Sequence, residues 1–64
     1  MVKYETKVVE KTFVVYDENM TQIHVYMGTY DKDSISDEII TLDKEIKDEK
    51  EFHTELSYWM MDNQ

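Results

Sequence analysis

Apolar side chains recur at every second position in the first thirty residues. Val2, Tyr4, Thr6 and Val8 share one parity, the spacing of a strand with one face on a core and the other in water. Phe13 and Val15 then alternate with Val14 and Tyr16. The parity of the apolar set therefore changes between Val8 and Phe13, and a bulge or tight turn near Val9-Glu10-Lys11 accounts for the change. Asp17-Glu18-Asn19-Met20 reads as a turn, because Asp and Asn bond their own backbone and tolerate left-handed conformations. A return strand follows from about Thr21 to Tyr30, with Ile23, Val25 and Met27 on one face and His24 and Tyr26 on the other. Gly28 marks a bulge near its end.

Past Asp31-Lys32-Asp33 the period changes. Ile35, Ile39, Leu42 and Ile46 follow the three-and-four spacing of one helix face, which predicts a helix over 35–47. Ser34 or Ser36 can cap it, and Asp37 and Glu38 stand where the helix dipole favours negative charge. Phe52, Leu56, Trp59 and Met60 form a second stripe, displaced from the first by about 85° when residues are projected at about 100° each. A break within Lys47–Glu51 is expected, and Asp48 with Glu51 three residues later resembles a capping box opening a second helix over 49–61. A terminal strand competes for that segment, since Phe52, Thr54, Leu56, Tyr58 and Met60 also alternate. The expected fold is α+β in one domain, residues 1–64: an antiparallel sheet of two or three strands in residues 2–30, packed by helices 35–47 and 49–61.

Composition narrows the kind of function. A 64-residue chain buries only about 60% of its unfolded surface, so its core is thin. Without cysteine it has no disulfide, thiolate ligand or thiol nucleophile, and stability rests on packing or association. The formal charge is −8, from 15 acids against 7 basic residues. That balance opposes direct binding to nucleic acid or anionic lipid, which needs clustered Lys or Arg. Residues 1–30 carry a net charge of −1 and residues 31–64 a net charge of −7. Scarcity of Gly, Pro, Ala and Arg, whose codons are GC-rich, points to an AT-rich gene. No apolar run is long enough to span a bilayer, and the first residues lack the order of a signal peptide. A soluble protein of the cytoplasm, the host bacterial cytoplasm if phage-encoded, is expected.

Candidate chemistry is sparse. Asp31-Lys32-Asp33 imitates the opening of a calcium loop, but Ile35, Ser36 and Leu42 occupy positions that need a ligand, a glycine and a glutamate. His24 and His53 are the two histidines, and a zinc site would need both plus a carboxylate. No phosphate-cradling glycine loop and no nucleophile elbow occurs. A non-enzymatic chain with no catalytic residue, metal or cofactor is expected.

Two features suit a contact surface instead. On a helical projection Asp37, Glu38, Glu45, Asp48, Glu49, Glu51 and Glu55 share an arc of about 160°, with neighbours about 5–6 Å apart. Such a row imitates successive phosphates and fits the basic groove of a nucleic-acid-binding protein. Tyr58, Trp59, Met60 and Met61 are four large apolar residues in succession. They cannot all face one small core, and Trp, Tyr and Met are enriched in interfaces.

The acidic segment Asp48-Glu49-Lys50-Glu51-Phe52, the β-then-α order and the composition resemble the small acidic proteins with which phages inhibit host defence or nucleic-acid enzymes, among them anti-restriction, anti-CRISPR and uracil-glycosylase-inhibitor proteins. Lys44, Lys47 and Lys50 interrupt the acidic row. The resemblance implies a DNA-mimicking inhibitor or regulator whose partner is a basic, nucleic-acid-binding protein, with contact residues Asp37, Glu38, Glu45, Asp48, Glu49, Glu51, Glu55, Tyr58, Trp59 and Met60. The alternative expectation is a small assembly subunit, a homodimer formed through a sheet edge and the Tyr58–Met61 patch.

Overall fold

In the computed structural model, which describes residues 2–16 and 18–62, the alternating segment becomes β1 (Val2–Val8). It is joined by Val9 and Glu10 to β2 (Lys11–Tyr16). The pairing of Val8 with Lys11 makes this a two-residue hairpin, the tight turn that the parity change requires. Val9 has φ 58° and Glu10 is not left-handed, the pattern of a type II′ turn, whose first central position favours glycine. Between Val2 and Tyr4 the register slips by one residue, leaving Lys3 as a bulge.

Strand β3 (Gln22–Met27) returns antiparallel to β2, with Phe13 opposite Val25. Asp17 lies outside the described residues, but Glu18 and Asn19 form a turn, and Met20 takes the left-handed conformation at φ 56°. Gly28 lies just past β3 rather than within it, at φ +93°. Its amide still donates to Glu10 O at 2.6 Å, so it ends the strand and turns the chain away.

Residues 35–47 depart from the expected helix. They hold β4 (Glu38–Thr41), which pairs with β3 through His24–Ile39 and Ile23–Ile40. The amides of Leu42 and Ile46 then donate to Thr21 O and Met20 O, each at 2.8 Å. Hydrogen bonding to β3 and the preceding turn thus outcompetes helical spacing that Ile35, Ile39, Leu42 and Ile46 shared by coincidence. Ile35 is 90% exposed and Ile39 48%, whereas Ile40, absent from that stripe, is buried. Neither Ser34 nor Ser36 caps a helix. Asp31 instead organises a turn, accepting from the Asp33 amide at its carboxylate and from the Ser34 amide at its carbonyl.

The fold class is α+β as expected, with four strands in the order β1-β2-β3-β4 and one helix, α1 (Glu49–Asp62). Asp48 caps it, accepting the Glu51 amide at 2.8 Å. Phe52 and Leu56 descend from α1 onto Phe13, Val15, Ile23, Val25, Ile40 and Ile46, the single core cluster. At its edge Tyr4 stacks on Phe52, with ring centroids 5.8 Å apart.

The second sheet face is covered without a helix. Thr12 and Val14 are buried there. Tyr16, two residues past Val14 on β2, and Tyr26, diagonal to Val14 on β3, meet hydroxyl to hydroxyl at 2.5 Å. Tyr30 from the connector packs edge-on against both rings. Asp37 holds the connector back by accepting the Met27 amide at 2.8 Å.

Candidate functional site

The expected acidic row does not form as one face. With residues 38–41 in a strand and 42–48 in irregular structure, the seven carboxylates are divided among the connector before β4, β4 itself, the 42–48 segment and α1, so the single helical projection does not apply. Several of them have local roles. Asp37 clasps β3, Asp48 caps α1, and Glu55 binds Lys44 Nζ at 3.1 Å with its side chain only 16% exposed. The hydrogen bond to Glu55, aided by the charge of Glu51, raises the Lys44 ammonium above its ordinary pKa. Glu51 lies between the cap and this ion pair, and its Oε1 is buried with no hydrogen-bond partner among the described residues. Glu49 stands one turn from His53, 3.9 Å from Nε2. Glu38 and Glu45 are exposed.

His24 and His53 do not converge. His24 belongs to the tyrosine-covered face, and His53 to the helix on the other. Tyr16 lies edge-on to the His24 ring at 4.7 Å, and Ser36 Oγ lies 3.3 Å from Nδ1. Burial lowers the His24 pKa below the ordinary value. It raises that of Tyr16, reinforced by the hydrogen bond to Tyr26.

The apolar tail divides as the helical period dictates. Tyr58 and Met61 face outward, 59% and 71% exposed, while Trp59 and Met60 turn toward the sheet and pack against the core. Trp59 meets Phe13 edge-on with centroids 5.7 Å apart, and Lys11 Nζ lies over its ring at 5.6 Å from the centroid. One side of the indole is thereby fixed. Beside it opens a groove of about 310 Å³ lined by Val8, Val9, Lys11, Phe13, Met27 and Met60.

Val9 and Met27 on this groove are 87% and 62% exposed. Sequence reasoning placed Trp59 and Met60 at a contact but missed Val9, Lys11 and Met27, which the hairpin and the end of β3 bring beside them. The available signal was Val9-Glu10 itself, a two-residue turn without Gly, Asn or Asp. No family model, no curated protein and no solved structure matches the chain.

Proposed function

We propose that the chain is a small acidic protein-binding inhibitor or regulator. It anchors to a basic partner through the apolar end built from Val9, Met27, Trp59 and Met60. The observation that carries this reading is Val9. A β-branched residue with φ 58° occupies a position where glycine would be unstrained, and left-handed backbone costs an L-residue roughly 1–2 kcal/mol. Its side chain, 87% exposed, contributes almost no burial to the fold in return. Strain retained without a folding benefit points to a use outside the folded monomer, and the adjoining groove supplies the setting.

The charge supplies the partner's sign. With a net charge of −8, the protein attracts basic surfaces over a Debye length, about 8 Å at physiological salt. The exposed carboxylates Glu38, Glu45 and Glu49 accelerate encounter, while the apolar end sets residence time. DNA mimicry by one continuous acidic row loses support, because the acids are dispersed and partly engaged.

The test is the Val9→Gly variant, titrated against a purified basic partner captured from host extract. The variant should fold with equal or greater stability, yet bind about tenfold more weakly, the loss of about 1.4 kcal/mol expected when a Val side chain no longer reaches a partner. Unchanged affinity would reject the anchor role.

A further inference from the structure

The outer edge of β1 has a sequence that complements itself. Strand β1 is seven residues long, is paired only with β2, and is an edge of the sheet. In a two-residue hairpin the closing pair, here Val8 and Lys11, exchanges backbone hydrogen bonds. Alternation along an antiparallel ladder then directs the N–H and C=O of Tyr4, Thr6 and Val8 toward β2, and those of Glu5 and Lys7 outward. Unpaired outward groups of this kind are a template for another strand.

We propose that this edge pairs antiparallel with β1 of a second copy, about a two-fold axis at Thr6. The register follows from charge and from the bulge. Placing Thr6 opposite its own copy sets Glu5 opposite Lys7 and Lys7 opposite Glu5, two cross-strand pairs of opposite sign. These are also the residues whose backbone groups face outward, so four inter-chain hydrogen bonds form between them. On the helix side the same register sets half-buried Tyr4 against half-buried Val8, twice.

Centring the axis on Glu5 instead would oppose Glu5 to itself and Lys3 to Lys7. Centring it on Tyr4 would also pair opposite charges, Lys3 with Glu5, but would run the ladder through the bulge at Lys3. Only the Thr6 axis confines pairing to the regular stretch from Tyr4 to Val8.

The charges along β1 favour a second copy at this edge over the β4 edge. Residues 1–30, which hold β1, carry a net charge of −1 against −7 for residues 31–64, and β4 lies at the opposite edge from β1. Pairing through β1 joins strands whose own charges, Lys3, Glu5 and Lys7, alternate in sign, whereas β4 is four residues long with Glu38 alone charged. Pairing through β1 also leaves the two Val9 turns at opposite ends of the paired strands. Val8 borders both the paired stretch and the groove, while Val9, Met27, Trp59 and Met60 stay outside the paired stretch.

Sedimentation equilibrium from low micromolar to millimolar protein tests the association, with folding checked by circular dichroism. The parent should rise from 7.8 kDa toward twice that mass. Glu5→Lys, which makes the edge uniformly basic, should remain monomeric at every concentration. The swap Glu5→Lys/Lys7→Glu should restore the dimer, since only the Thr6 axis turns both changes back into opposite-charge pairs. Because the chain has no cysteine, Thr6→Cys gives a second readout. A non-hydrogen-bonded pair at the axis has Cα atoms about 4.5 Å apart, within disulfide range, so mild oxidation should yield a covalent dimer. A parent that stays at 7.8 kDa throughout, or a folded swap variant that fails to dimerise together with no Thr6→Cys cross-link, would overturn the proposal.

Discussion

Trp59 meets Phe13 edge to face, 5.7 Å between centroids, and so joins the last turns of α1 to the middle of β2. The contact fixes the indole from the core side while the groove beside it stays open. An aromatic pair of this geometry contributes about 0.5–1.5 kcal/mol beyond its buried area. Trp59→Phe should therefore cost about 1 kcal/mol in urea unfolding and Trp59→Ala about 3 kcal/mol. Equal stability of the Ala variant would show that α1 does not depend on this contact.

The isoleucines of residues 35–46 separate sharply. Ile40→Ala and Ile46→Ala should each cost about 2–5 kcal/mol, because both side chains are in the core. Ile35→Ala should change stability by less than about 0.5 kcal/mol, since Ile35 is 90% exposed. Ile39→Ala, half-exposed on the opposite face of β4, should fall between them. Chemical denaturation of the four variants checks the order; a destabilising Ile35→Ala would restore the helical stripe.

That order also shows what was legible in the sequence. β1 could be read because it buries one face, so period two is written into Val2–Val8, whereas β2 and β3, buried on both faces at Thr12–Val15 and at Val25 and Tyr26, were legible from their Val, Tyr and Phe content and from the turn between them. The helix of residues 49–61 could be read because Asp48 supplies its cap and Phe52 and Leu56 its stripe. β4 could not, because its four residues offer too short a pattern. Ile39 and Ile40 adjoin with one on each sheet face, while Ile35, Ile39, Leu42 and Ile46 imitate a helix. Pairing to β3 is a tertiary effect that local periodicity does not contain. The proposed contact surface was half legible: the Tyr58–Met61 tail announced itself, but the hairpin tip beside it emerges only on folding.

Removing the helix cap gives a local test. Asp48→Ala deletes the acceptor of the Glu51 amide and should cost about 1 kcal/mol. Asp48→Asn should retain most of the stability. Thermal unfolding of the pair checks this; equal loss in both would assign the effect to charge instead of hydrogen bonding.

The tyrosine-covered face should respond to acid. Burial holds the His24 imidazole below its ordinary pKa, so the folded state favours the neutral ring. The unfolded chain takes up a proton near pH 6.5. The corresponding stability is present above that value and is lost as pH falls below it toward the folded pKa. The groups facing the ring are Tyr16 and the Ser36 hydroxyl, neither of which neutralises an imidazolium. Urea midpoints from about pH 7.5 to about pH 5.5 should fall more steeply for the parent than for His24→Gln. Parallel curves would mean that His24 titrates normally in the fold.

Mapping the partner onto the ¹⁵N-labelled protein tests the central claim most directly. The chain has one tryptophan, so a single indole N–H resonance reports the groove without ambiguity. On titration with the purified basic partner, that resonance and the amides of Val9, Lys11, Met27 and Met60 should shift or broaden together. The perturbation should persist at high salt, with only the association rate reduced. Perturbations confined to Glu38, Glu45 and Glu49, vanishing as salt rises while the indole signal stays fixed, would contradict the account and place the contact on the carboxylates instead.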